Sequence, residues 1–238
     1  MSDLLNFAVE AHGGSTLWKR LSVVKAGVSI TGALWAFKGH PNLLKDVELE
    51  AKLHEQKLTM HLLGKDRRII LTPNRIEIET ESGIMVEGRD DPRASFEGHR
   101  RETPWDELHV AYFASYAIWA DLTSPFLYTC PGIVTQELPP WQEDGEIWRP
   151  LKATFPDTIT RHSREQISYF GPDGLLRRHE YTVDFLGGAP GLNYAAKYRN
   201  VAGVMVPMER RVYAYDGHKR KIPEPLLVAI NVRNITFR

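Results

Sequence analysis

The feature that most constrains this chain is an alternation of period two that begins after residue 22 and returns again and again to the C-terminus. Val47, Leu49, Ala51 and Leu53 alternate with Glu48, Glu50, Lys52 and His54, and Leu58, Met60 and Leu62 with Lys57, Thr59 and His61. Successive side chains of a strand point to opposite faces, so such runs are half-buried strands with one wet face. The stretches 23–37, 68–71, 75–80 and 84–88 extend the pattern, broken at Thr72-Pro73-Asn74 and Glu81-Ser82-Gly83, whose residues favour turns. A second meander follows over 147–238, including a strand Leu175–Leu186 between Gly171-Pro172-Asp173-Gly174 and Gly187-Gly188-Ala189-Pro190. With no regular βαβ alternation, the sheet is expected to be antiparallel. At 238 residues, one domain over 1–238 is expected, and it needs no disulfide or structural metal to be stable.

Helices are expected in two places. Residues 2–21 read as a helical N-terminus: Ser2 as cap, Leu4, Leu5, Ala8 and Val9 on one face, a stop at His12-Gly13-Gly14, then a short helix with Leu17, Trp18 and Leu21. Thr103 as N-cap and Pro104 in the first turn predict a helix over Thr103–Trp119. Its residues are aromatic on more than one side, so it is expected to be buried or to line something. Residues 129–146, with Pro131, Gly132, Pro139, Pro140 and Gly145, read as a long loop. The fold class expected is α+β and mostly β: a single curved antiparallel sheet, an incomplete barrel wrapped around the aromatic-rich helix.

Charge and composition exclude several functions. Thirty basic residues balance thirty acidic ones, which argues against a nucleic-acid binder driven by phosphate attraction and against attachment to anionic membranes. Cys130 is the sole cysteine, so no internal disulfide forms, and no nearby base activates it. The start of the chain lacks the regions of a secretory signal. The longest nearly apolar run, Ala111 to Ala120, is about half a membrane span. A soluble, cytoplasmic protein is expected on these grounds. The nine histidines include no pair with the spacing of a recognised zinc site, and no P-loop, dinucleotide fingerprint or nucleophile elbow is present. No metal and no cofactor are expected.

Ala11-His12-Gly13-Gly14, followed after three residues by Trp18 and then Leu21, leads straight into the β run. This opening resembles that of bacterial proteins with the LolA/LolB-like (lipoprotein-carrier) fold. The resemblance implies an incomplete antiparallel barrel with helices plugging its concave side over an apolar cavity. Those carriers are exported and lipoproteins carry a lipobox cysteine; this chain shows neither signal, so lipoprotein sorting is not expected. The fold class also contains an enzyme of violacein biosynthesis, which implies that such a cavity can host cofactor-free chemistry.

Two functional readings follow. In the first, the cavity between sheet and helix binds an apolar or aromatic small molecule or a lipid chain, with Trp105, Tyr112, Tyr116, Trp119, Tyr213 and Arg211 as ligand-binding candidates. Arg211 is either an anion anchor or a cross-strand ion-pair partner of Glu180 or Asp184. In the second, a cofactor-independent enzyme acts on an apolar metabolite. There period two puts His179 and Tyr181 on one face of the strand, as acid–base candidates or as rim residues bonded to neighbouring strands.

Overall fold

In the computed structural model, which describes residues 3–238, fifteen strands join one antiparallel sheet that does not close into a barrel. The expected cap Ser2 lies outside the described residues. The chain opens with α1 (Asp3–Ala11) and α2 (Ser15–Trp18). The first meander is β1 (Val23–Thr31), β2 (Val47–Lys52), β3 (Leu58–Leu62), β4 (Arg68–Thr72), β5 (Arg75–Glu79) and β6 (Met85–Asp90), with α3 (Ala33–Phe37) inserted after β1. Then come α4 (Glu107–Thr123), β7 (Val134–Glu137), β8 (Trp141–Glu143), β9 (Glu146–Thr154), β10 (Glu165–Phe170) and β11 (Leu176–Val183). β12 (Ala189–Val201), β13 (Val204–Tyr215), β14 (Lys221–Ile222) and β15 (Val228–Phe237) complete the chain.

The two meanders are zipped together by the first and last long strands. β1 pairs with β15 from Val24↔Phe237 to Thr31↔Ala229, and from that seam the order runs outward to β6 on one side and β7 on the other. The β1–β2 and β2–β3 registers place Val24, Ala51 and Leu58 together on the buried face. Edge strand β6 is largely exposed and carries Glu87, Arg89 and Asp90, charges that discourage edge-to-edge pairing.

α4 lies in the concavity and is held from both arms. Trp119 Nε1 donates to the Lys52 carbonyl on β2 at 2.7 Å, while Asn193 on β12 donates to the Asp121 carboxylate at 3.1 Å. The arms also meet directly, where Gln56 exchanges two 2.9 Å hydrogen bonds with Thr160. The helix is buried nearly all round, so it has no wet face and behaves as a core element. It starts at Glu107, four residues later than Thr103. Asp106 is the N-cap, accepting from His109 N at 2.7 Å while His109 Nδ1 accepts from Asp106 N. Thr103 instead accepts from Arg100 N across a turn.

The Ala11-His12-Gly13-Gly14 segment ends α1 and docks it on the β12–β13 turn. Gly14 N returns to the Val9 carbonyl, and Met205 N donates to the His12 carbonyl at 3.1 Å. Gly13 has φ +125°, and a Cβ there would sit 2.5 Å from the Gly203 carbonyl oxygen, so only glycine fits.

Three expectations are corrected. Residues 33–37, read as part of a β run, form α3. Gly32, at φ +118°, turns the chain there, with space for a Cβ blocked at 2.4 Å by the Leu227 carbonyl. The loop expected over 129–146 contains β7 and β8, both paired with β9. The strand expected to run to Leu186 ends at Val183 in a short 3-10 turn.

Candidate functional site

Two of the spaces off the concave face bear on the candidate residues. The inner one is a cavity of about 40 Å³ between α4 and the β11–β12–β13 region. Period two along β11 delivers His179 and Tyr181 to its wall together, and the β11–β12 register sets Asn193 directly opposite His179. β12 pairs Ala195 with Arg210, so Arg210 reaches the same floor from β13. Asp121, from the last turn of α4, completes it. Asn193 Nδ2 lies 3.1 Å from each Asp121 oxygen; Arg210 ion-pairs with that carboxylate at 3.2 Å and donates to the Asp121 carbonyl at 3.0 Å. His162 stacks on Tyr181 with ring centroids 4.0 Å apart and shares a 2.9 Å hydrogen bond with the Tyr116 hydroxyl. Tyr181 lies so flat over Gly191 that a Cβ at 191 would stand 2.6 Å from its ring.

Burial sets the protonation of this cluster. It pushes His179 down to about 3, with the Arg210 charge acting the same way, and His162 well below the usual histidine range. It raises the Tyr181 hydroxyl and, against the pull of Arg210 and Asn193, the Asp121 carboxyl. Burial therefore favours the neutral forms of both His179 and Tyr181. A 40 Å³ space holds a water or two, not a metabolite. His179 Nε2 and Asn193 Oδ1 are buried there with no protein hydrogen-bond partner among the described residues, and water suits both.

The outer space is larger and apolar. It measures about 230 Å³ and lies under α3, whose Ala33, Leu34 and Phe37 form one wall. Leu186, Ala189 and Pro190 face them across the start of β12, and Ala214, Pro225 and Leu227 close the floor. α3 is fastened by Ala33 N and Leu34 N, which donate to the carbonyls of Leu226 and Leu227 at 3.0 Å. Lys38 and Arg101 stand at the lip. Lys38 Nζ donates to the carbonyls of Arg101 at 2.6 Å and Thr103 at 2.9 Å, and lies 4.9 Å from the Trp105 ring. Burial lowers its pKa.

The sequence candidates are distributed differently from expectation. His179 and Tyr181 line the inner cavity. Trp119 and Tyr116 are spent on hydrogen bonds within the core, Trp105 packs on Phe113 and Lys38, and Tyr112 faces a polar crevice beside Arg93 and Thr160. None of these four lines either apolar space. Arg211 and Tyr213 are on the outer face of β13. Arg211 pairs with Glu209 and bonds Asn231 Oδ1 at 2.8 Å, and Tyr213 packs near Lys221 and Tyr194. The strand period was right and its phase wrong: Val204, Val206, Met208 and Val212 are the buried series, and Arg210 falls in it. That phase was legible in the apolar residues themselves. Glu180 and Asp184 are likewise not partners of Arg211. Glu180 instead bonds Arg178, Lys219 and the Tyr169 hydroxyl, and Asp184 pairs with Arg93. The reading also missed Asp121, Asn193, His162 and Lys38, which meet only through the fold.

No family model matches the chain, and no curated protein is significantly similar to it in sequence. Solved structures share its architecture. A LolA superfamily protein from Nitrosomonas europaea superposes with a TM-score of 0.56 at 10% identity, covering 98% of this chain and 92% of the other. A DUF1329 family protein from Desulfovibrio piger gives 0.53 at 10% identity, covering 98% and 91%. A domain from Vibrio parahaemolyticus described as an outer membrane lipoprotein-sorting protein gives 0.45 at 12%, covering 98% and 92%. The chain has the LolA-like fold. The expectation of a cytoplasmic protein is corrected here, because the LolA superfamily structure with this architecture points away from the cytoplasm. No helix among the described residues is long and apolar enough to cross a membrane.

Proposed function

We propose that this chain, built on the LolA-like fold, binds an apolar small molecule or lipid chain in the pocket under α3. The observation that carries this reading is the pocket itself: about 230 Å³ of unfilled space walled by nine apolar side chains. Packed interiors leave few voids larger than a water, so an apolar space of this size that meets the surface is characteristic of a ligand site. Phe37, 55% exposed, adds apolar surface at its edge. The space around α4, where the aromatic residues suggested a site, is taken up by those same aromatics. The inner cavity, at about 40 Å³ and with two unpartnered polar atoms in its wall, has room for water and not for an apolar ligand.

The test is titration with the neutral fluorophore N-phenyl-1-naphthylamine. Saturable enhancement with one site per chain is expected, and Ala189→Trp, which fills the pocket from its half-exposed wall, should abolish it while the chain stays folded. Enhancement that survives Ala189→Trp, or none in the unaltered chain, sinks the reading.

A further inference from the structure

Among the described residues three Lys and Arg side chains are buried: Lys38 at 1% exposure, Arg178 at 0% and Arg210 at 5%. Two of them are matched by carboxylates. Arg178 meets Glu143 at 2.5 Å and Glu180 at 3.1 Å, and Arg210 meets Asp121 at 3.2 Å. Lys38 differs. Its ammonium rests on two carbonyl oxygens and the faces of Trp105 and Phe37, with no carboxylate in ion-pair contact among the described residues. A buried charge without a counter-charge is costly, and partial carbonyl charges offset that only in part.

The second cation at the lip is also unmatched. Arg101 has an exposed side chain with no hydrogen bond, ion pair or ring contact among the described residues, and it lies close enough to Lys38 for the two charges to repel. Glu102 acts on Lys38 more strongly than Arg101 does, without an ion-pair contact; it pairs with neither cation and does not line the pocket. No lining residue is acidic. In a chain with no net charge, an apolar pocket therefore carries two cations and no anion on its lip.

We infer that the occupant is an anionic amphiphile, with its apolar body under α3 and a carboxylate or phosphate head between Arg101 and Lys38. This rests on the reading of the pocket as a ligand site and adds the chemistry of the head. A guanidinium offers a planar fork of donors suited to either oxyanion, and Lys38 keeps one N–H beyond its two carbonyl bonds.

The experiment is displacement of N-phenyl-1-naphthylamine by decanoate, decyl phosphate, 1-decanol and acetate. Decanoate or decyl phosphate should displace the probe at about tenfold lower concentration than decanol, the gain of one charge-assisted contact. Acetate, which lacks the chain, should not displace it. Arg101→Gln should cut the anions' advantage severalfold and leave decanol unchanged, and 0.5 M salt should weaken the anions alone. An advantage for one anion only upholds the inference and identifies the head. Equal displacement by decanol and both anions, or an anion preference undiminished in Arg101→Gln, overturns it while the pocket reading stands. Lys38→Met is a second variant, but it also removes the bonds that tie residues 101 and 103 to α3, so Arg101→Gln decides.

Discussion

Taking the protein from pH 7.5 to pH 5 tests how its buried histidines are held. His12 is 3% exposed, ringed by Phe170 and Tyr198, with Nδ1 donating to the Ala8 carbonyl at 2.8 Å. Burial pushes it down to about 4 from 6.5, and pushes His179 down to about 3. In the unfolded chain both return to the ordinary value. Because the folded pKa is the lower one, the unfolded state takes up protons first as pH falls. The stability these groups leave intact at pH 7.5 is then lost below 6.5, and the loss levels off only near 4 and 3. At pH 5 each histidine has crossed about 1.5 pH units at about 1.4 kcal/mol per unit, or about 2 kcal/mol each. His162 adds a loss of the same sign. Asp121, whose folded pKa is raised, works in the opposite direction and returns some stability as pH falls. The net expectation is a loss of several kcal/mol in a fold whose whole stability is of order 5–15 kcal/mol. Urea unfolding followed by tryptophan fluorescence at pH 7.5, 6.5, 5.5 and 5 measures it. His12→Asn should be less stable at pH 7.5 and lose about 2 kcal/mol less on going to pH 5. A change below about 1 kcal/mol in the unaltered chain, or an unaltered slope in His12→Asn, would refute the assignment of these histidines as buried and neutral.

Further outcomes follow from individual contacts. Arg178→Ala leaves Glu180 buried and short of its partner, and should cost about 3–5 kcal/mol in urea unfolding, whereas Arg211→Ala on the outer face should cost under about 1 kcal/mol. Gly32→Ala sets a Cβ 2.4 Å from the Leu227 carbonyl at positive φ; a loss of about 2 kcal/mol or more is expected, along with weaker uptake of the naphthylamine probe as α3 shifts. Asp106→Ala removes the side-chain half of the α4 capping box and the Arg89 pair, leaving the backbone N–H to His109 Nδ1 bond, and should lower stability by about 1 kcal/mol or more; an unchanged midpoint would place the helix start elsewhere.

Some of this protein was written locally and some was not. The alternation at 47–62 and the apolar series of β13 are local facts, and they suffice for an antiparallel, mostly β fold, because a period of two buries one face whatever the neighbouring strand is. The Ala11-His12-Gly13-Gly14 opening announced the end of α1 for the same reason: backbone at positive φ calls for glycine. His179 and Tyr181 came out on one face together. Their surroundings did not, since the cavity floor joins Asp121, Asn193 and Arg210, which are 72 and 17 residues apart in sequence and touch only once α4 is laid across β12 and β13. α3 was lost because Trp35 and Phe37 suit a strand as well as a helix, and the decision came from Gly32 meeting the Leu227 carbonyl almost two hundred residues away. With α3 went the pocket. Periodicity settles which way a side chain points relative to its own strand. Which space it enters, and whether that space is filled, depends on the elements packed opposite, and here only the tertiary structure decided that the aromatic helix fills its cavity while a five-residue helix leaves one open.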